Sequence, residues 1–160
     1  MIVDPLIRSG YAELHDGRLY FETAGSGEYA IIFIHGMGLD HRMWDDQFEP
    51  FSRQYTAIRY DVRGYGKSTM PEKEPYSHQN DLKWLLDRIG IIQAALVGIS
   101  MGGGIALDFA LDYPECVSSL ILSNSALNGY RPSAASGDLN AVYEHIEAAA
   151  AELQFESKKR

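Results

Sequence analysis

The run Ala30-Ile31-Ile32-Phe33-Ile34 is apolar at every position and stops at His35-Gly36-Met37-Gly38. Five apolar residues with no polar alternation mark a strand covered on both faces, as in a parallel sheet. Further short β-rich stretches lie at Tyr55–Tyr60, Ala94–Val97 and Val117–Leu122. Between them the period changes. Met43–Phe51 predicts a short helix. From Ser77 onward, Leu82, Leu85, Leu86 and Ile89 recur at helical spacing as far as Gly90, which suits a C-terminal cap. Met101–Tyr113 predicts another helix, stopped by Pro114. Upstream, Tyr11–Leu14 and Leu19–Thr23 flank His15-Asp16-Gly17-Arg18, whose Asp-Gly pair is a hairpin-turn signal.

The alternation predicts an α/β fold: a mostly parallel sheet with an N-terminal antiparallel hairpin and helices on both faces. Trp44, Trp84 and Phe109 sit among apolar neighbours on these helices and are expected in the core. Beyond Ser123 the chain reads as loop. From Asp138, a plausible N-cap, Leu139, Val142, Ile146 and Leu153 return at helical spacing and predict one amphipathic helix. The expected division is 1–125 for the core, with six strands, and 126–160 for a second region bearing that helix. Val117–Leu122 has no obvious partner on its outer side, and an exposed edge of this kind invites pairing with a second copy.

Composition narrows the functional classes. The 160 residues are 46% hydrophobic and 22% charged, enough for one soluble globular domain. The net charge is −8, and the one dense basic run, Lys158–Arg160, is a solvated helix end, so nucleic acid is not an expected partner. Cys116 is the sole cysteine, which rules out an internal disulfide, and no Cys/His cluster has metal-ligand spacing. No apolar run approaches the ~18 residues of a membrane span. The start, MIVDPLIRSG, has no signal-like segment. The expected location is the cytoplasm.

In a parallel α/β sheet, ligands bind outside the carboxyl ends of the strands. His35–Gly38, Asp61–Ser68 and Gly98–Gly103 all fall at that edge. Gly98-Ile99-Ser100-Met101-Gly102 matches G-x-S-x-G, in which the serine occupies a strained strand-to-helix turn and flanking glycines remove clashes. The turn puts the Met101 N–H beside Ser100 at a helix N-terminus, where a developing negative oxygen is favoured. Across from it, Gly36 and Gly38 let the chain turn so that the Met37 N–H meets the same oxygen. Glycines 102–104 follow the serine and are better explained by close helix-on-sheet packing than as a phosphate cradle. Asp61 and Arg63 are expected to brace their own loop. The side chains of Met37 and Met101 fit a pocket wall or an outward direction equally well.

Through HGMG, DVRGYGKS and GISMGG in this order, the sequence resembles the α/β-hydrolase fold family over nearly all residues to about Ser125. LDHRMWDDQF, RYDVRGYGKS and DLKWLLDRIGI resemble its small-molecule esterase and enol-lactonase branch. The resemblance implies acyl transfer to water at a small-molecule ester or lactone, with Ser100 as nucleophile and Met37 and Met101 as oxyanion amides. It implies no cofactor and no metal, and a structural role for His35. Serine at this position argues against the aspartate-nucleophile branches. The resemblance also makes 126–160 the start of a lid.

A serine nucleophile needs a base held by an acid, and in this family both follow the serine in the chain. After Ser100 the one histidine is His145, expected in mid-helix, and His15, His41 and His78 precede the serine. Two expectations result. The chain is the N-terminal portion of a serine hydrolase, or it is a truncated, non-catalytic binding or structural module.

Overall fold

The structure is a computed structural model that describes residues 6–70 and 75–125. A six-stranded sheet runs in the order β1-β2-β4-β3-β5-β6. The strands are β1 (Arg8–Leu14), β2 (Gly17–Ala24), β3 (Ala30–Ile34), β4 (Thr56–Tyr60), β5 (Ala94–Ile99) and β6 (Val117–Ser123). β1 and β2 form an antiparallel hairpin and β2 lies antiparallel to β4, whereas β4, β3, β5 and β6 are mutually parallel.

The central strand explains the layers. All five residues of β3 are buried, and successive side chains point to opposite faces. Ile32 and Ile34 pack with Ile58, Leu82, Leu85, Leu86, Ile105 and Phe109. Ile31 and Phe33 pack on the other face with Trp44, Phe48 and Ala57. Helices therefore cover both sides. α2 (His78–Ile89) and α3 (Met101–Asp112) lie on one side. α1 (Asp45–Ser52), entered through a 3-10 turn at His41–Trp44, lies on the other.

α2 begins and ends where its sequence signals place it. The Ser77 hydroxyl accepts the Asn80 N–H at 3.2 Å, and Gly90 closes the helix at φ 76° in the left-handed region that a side chain disfavours. The hairpin turn lies one residue upstream of the Asp-Gly pair. Leu14 pairs with Gly17, so the two loop residues are His15 and Asp16. Trp84 departs from expectation: it is 48% exposed and its indole N–H donates to the Glu13 carbonyl at 2.7 Å. It lies off the Leu82-Leu85-Leu86-Ile89 stripe, so it leaves the core and lies over β1 instead. Trp44 and Phe109 are buried.

The outer edge of β6 has no strand partner among the described residues, and Ile121 there is 53% exposed. No described helix is long and apolar enough to cross a membrane. The helix expected from Asp138 and the whole of 126–160 lie outside the described residues.

Leu85 is fully buried and Ile92 projects into solvent. Leu85→Ala is expected to lower the free energy of unfolding by about 2–5 kcal/mol. Ile92→Ala should change it by less than about 0.5 kcal/mol. Urea titration of both variants measures the contrast.

Candidate active site

The three loops after β3, β4 and β5 emerge at the same edge of the sheet because those strands are parallel. Ser100 forms the corner between β5 and α3 with φ 52° and ψ −116°, a positive φ rare outside glycine. Its N–H donates to the Ser123 carbonyl at 3.0 Å, and its own carbonyl accepts the N–H groups of Gly103 and Gly104, both at 3.1 Å. The backbone is thus held on both sides of the strained residue. No described group hydrogen-bonds to the Ser100 hydroxyl.

Glycine is required at two places beside the corner. A Cβ on Gly98 would overlap the Gly102 carbonyl and come within 2.7 Å of the Gly103 nitrogen. One on Gly102 would overlap the Ile34 carbonyl and come within 2.5 Å of the His35 carbonyl. Helix α3 therefore starts with its backbone against the end of β3.

The loop after β3 lies next to the serine. A Cβ on Gly36 would sit 3.7 Å from the Ser100 Cβ and 3.6 Å from the Ile99 carbonyl, which is ordinary contact. Gly36 is therefore not demanded by sterics; its missing side chain leaves space beside Ser100. Gly38 is demanded, with φ 74°. The Leu39 N–H donates to the Gly36 carbonyl at 3.3 Å, closing a four-residue turn with Met37 second and Gly38 third, the third position being where a type II turn needs positive φ. This leaves the Met37 N–H out of the turn's own hydrogen bond. The Met37 side chain is 64% exposed, so it lines no enclosed pocket; Met101 is partly buried.

His35 is fully buried with both ring nitrogens used. Nε2 accepts the Val62 N–H at 2.9 Å, so the proton sits on Nδ1, which donates to the Gly36 carbonyl at 2.8 Å. Burial pushes the ring below its ordinary pKa of 6.5 and keeps it neutral. His41 is likewise engaged, with Nδ1 2.6 Å from Asp61 Oδ1 and Nε2 3.5 Å from Glu22 Oε1. His15 is at the exposed hairpin tip, 3.4 Å from Asp16. His78 has a buried Nδ1 with no hydrogen-bond partner, and burial depresses its pKa. No described histidine is hydrogen-bonded to Ser100, and His145 lies outside the described residues.

Asp61 and Arg63 reach further than their own loop. Asp61 accepts the Lys67 N–H at 2.8 Å within it, but also the His41 N–H at 2.7 Å from the loop after β3. Arg63 donates to Asp81 on α2 at 2.7 and 2.8 Å and to Asp16 on the hairpin at 2.8 Å. These partners are 18 to 47 residues away, so no local period announces them. Asp40, His41 and Asp61 bring ligand-type atoms within 4.8 Å of one another. Arg42, however, donates to both Asp40 oxygens and holds that carboxyl at a pKa of about 2, and Asp61 is filled by His41 and Lys67, so hydrogen bonding accounts for the cluster.

The sequence pattern of the α/β hydrolase fold matches residues 29–152. The chain belongs to the α/β-hydrolase family. Within it, the chain is 38% identical over 117 residues to a 2-hydroxy-6-oxo-6-phenylhexa-2,4-dienoate hydrolase of Comamonas testosteroni, covering 69% of this chain and 41% of that protein. It is 36% identical over 115 residues to 3-oxoadipate enol-lactonase 2 of Acinetobacter baylyi, covering 69% and 43%. A solved hydrolase structure from Pseudomonas aeruginosa superposes with a TM-score of 0.73 at 28% identity, covering 92% of this chain and 58% of that one. The α/β-hydrolase chain thus spans less than half the length of these two curated relatives.

Two outcomes are expected from the site geometry. Gly98→Ala should destabilise the protein by more than about 2 kcal/mol or prevent folding, whereas Gly36→Ala, whose new Cβ meets only ordinary contacts, should fold with a similar urea midpoint. The second concerns pH. In the unfolded chain His35 and His78 take up protons near 6.5, whereas in the folded chain burial delays uptake to lower pH. Their contribution is therefore complete above about 6.5 and is lost as pH falls through the folded values. Unfolding free energy measured from pH 7 to pH 5 should decline, by at most about 1.4 kcal/mol per pH unit for each ring. Equal or greater stability at pH 5 would contradict the neutral, buried His35.

Proposed function

We propose that this chain carries the nucleophile portion of a serine hydrolase that cleaves a small-molecule carboxylic ester or lactone through an acyl-enzyme on Ser100. The observation that carries the reading is the Ser100 corner. It projects a hydroxyl from a strained turn, with glycine on either side and the Gly36 position in contact distance of its Cβ. Attack by Oγ on the substrate carbonyl would place negative charge on the carbonyl oxygen. Two amides are available to it: Met101, at the N-terminus of α3, and Met37, left free by its turn. His35, Gly36, Gly38, Gly98 and Gly102 shape the two loops that present these amides. An enol-lactonase and an oxo-dienoate hydrolase among the relatives support a carbonyl substrate.

The serine proton must pass to a base, and the described histidines are engaged elsewhere or not bonded to Ser100. That observation favours a second reading, a non-catalytic module that retains the site's shape. Turnover separates the two: hydrolysis of a small aryl ester or lactone by the pure chain, abolished in Ser100→Ala, eliminates the module.

A fluorophosphonate probe is expected to label Ser100 and to leave Ser100→Ala unlabelled. Met37→Pro tests the oxyanion role, because proline suits the second position of this turn yet has no N–H. It should fold normally and react roughly 100- to 1000-fold more slowly. Absence of labelling in the folded wild-type chain sinks the nucleophile assignment, and an unchanged rate in Met37→Pro sinks the Met37 donor.

A further inference from the structure

The segment between His35 and His41 leaves β3 and makes the Gly36–Leu39 turn before the 3-10 turn begins, with the Gly36 N–H 3.4 Å from Met43 Sδ and the Asp40 carboxylate held by Arg42. Both of its ends are tied to one dipeptide, Asp61-Val62, just past β4. At the near end the Val62 N–H donates to His35 Nε2 at 2.9 Å, and the same ring holds the Gly36 carbonyl through Nδ1. At the far end Asp61 Oδ1 accepts two hydrogen bonds from one residue, from the His41 N–H at 2.7 Å and from its ring Nδ1–H at 2.6 Å.

Asp61 is itself immobilised. It is fully buried. Its Oδ2 accepts the Lys67 N–H at 2.8 Å, its carbonyl accepts the Ser68 hydroxyl at 2.6 Å, and Gly66 packs so tightly on the carboxylate that a Cβ there would overlap it. The His41 ring is held from its other side by Tyr20, with ring centroids 5.0 Å apart. Between these two anchors lie five residues, 36 to 40, with Met37 among them.

We propose that Asp61, acting through His41, is the residue that positions the Met37 amide opposite Ser100, while Val62 and His35 hold the other end of the same loop. Asp61 and His41 touch no substrate; they act by fixing where one N–H points. The proposal rests on the reading of Met37 as an oxyanion donor. A displacement of about 1 Å at such a group can cost on the order of 100-fold in rate.

The test uses the full chain and two variants. Asp61→Asn keeps the side-chain size but replaces one accepting oxygen with an NH2 group. His41→Gln removes the ring and keeps the backbone N–H. Amide hydrogen exchange should speed up by about tenfold or more at Leu39, whose N–H is bonded to the Gly36 carbonyl, in both variants, with Gly102–Ala106 and α2 unchanged. Fluorophosphonate labelling of Ser100 should slow about 10- to 100-fold at saturating probe, with the half-saturating concentration altered less than about twofold. Unchanged exchange at Leu39 overturns the proposal. So does an equal acceleration in α2, or loss of the circular-dichroism helix signal in both variants, since either makes the role general stability. Faster loop exchange with an unaltered labelling rate overturns it as well. If the wild-type chain does not label, the nucleophile reading fails, and the exchange measurements alone decide whether Asp61 clamps the loop.

Discussion

The whole carboxyl edge of the sheet depends on how closely the start of α3 approaches the end of β3. With no side chain at Gly102 the helix backbone lies against the Ile34 and His35 carbonyls, and with none at Gly98 the strand can turn into that helix within one residue. Ser100 absorbs the geometry as a positive φ. Such a conformation costs on the order of 1–3 kcal/mol and persists only where the surroundings over-determine it. Here they do so through hydrogen bonds to Ser123, Gly103 and Gly104. The same close approach sets the Gly36 loop beside the serine.

Around this apolar and backbone framework lie two buried groups of charges. Arg59 bridges Glu22 on β2 and Asp45 on α1, with Tyr20 donating to the same Glu22. Burial would raise the Glu22 carboxyl, but the hydrogen bonds from Tyr20 and Arg59 outweigh it and leave the pKa lowered. Arg63 bridges α2 and the hairpin tip, and its Asp81 and Asp16 partners hold its pKa above the ordinary arginine value. Buried ion pairs return little net stability, yet losing one partner strands a charge. They tie together elements far apart in the chain: Arg59 joins β4 to β2 and α1, and Arg63 joins the loop after β4 to α2 and the hairpin.

Much of this was legible from residue order, for reasons that differ along the chain. β3 was legible to the residue and α2 nearly so, because their determinants are local: an unbroken apolar run, an apolar stripe at helical spacing, a terminal glycine. The Ser100 corner was legible because its glycines lie two positions to either side. Trp84 was misplaced because bulk and apolar character outweighed its angular position on the helix. The partners of Asp61 and Arg63 were out of reach, since hydrogen bonds across 18 to 47 residues leave no periodic trace. Gly36 looked like a turn requirement, but its position is one where a side chain would fit, a distinction that only the three-dimensional neighbourhood makes.

The two tryptophans, opposite in environment, give this protein a built-in optical readout. Trp44 is enclosed against Phe33 on the α1 side of the sheet, with its indole nitrogen unbonded. Trp84, on the other side, bonds its indole to the hairpin and leaves nearly half its surface in water. Emission from the first is shifted to the blue and shielded from quenchers such as iodide, while the second emits further to the red and is quenched. Loosening of the α1 layer and detachment of α2 from the hairpin therefore carry separate fluorescence signatures, each visible without an added label.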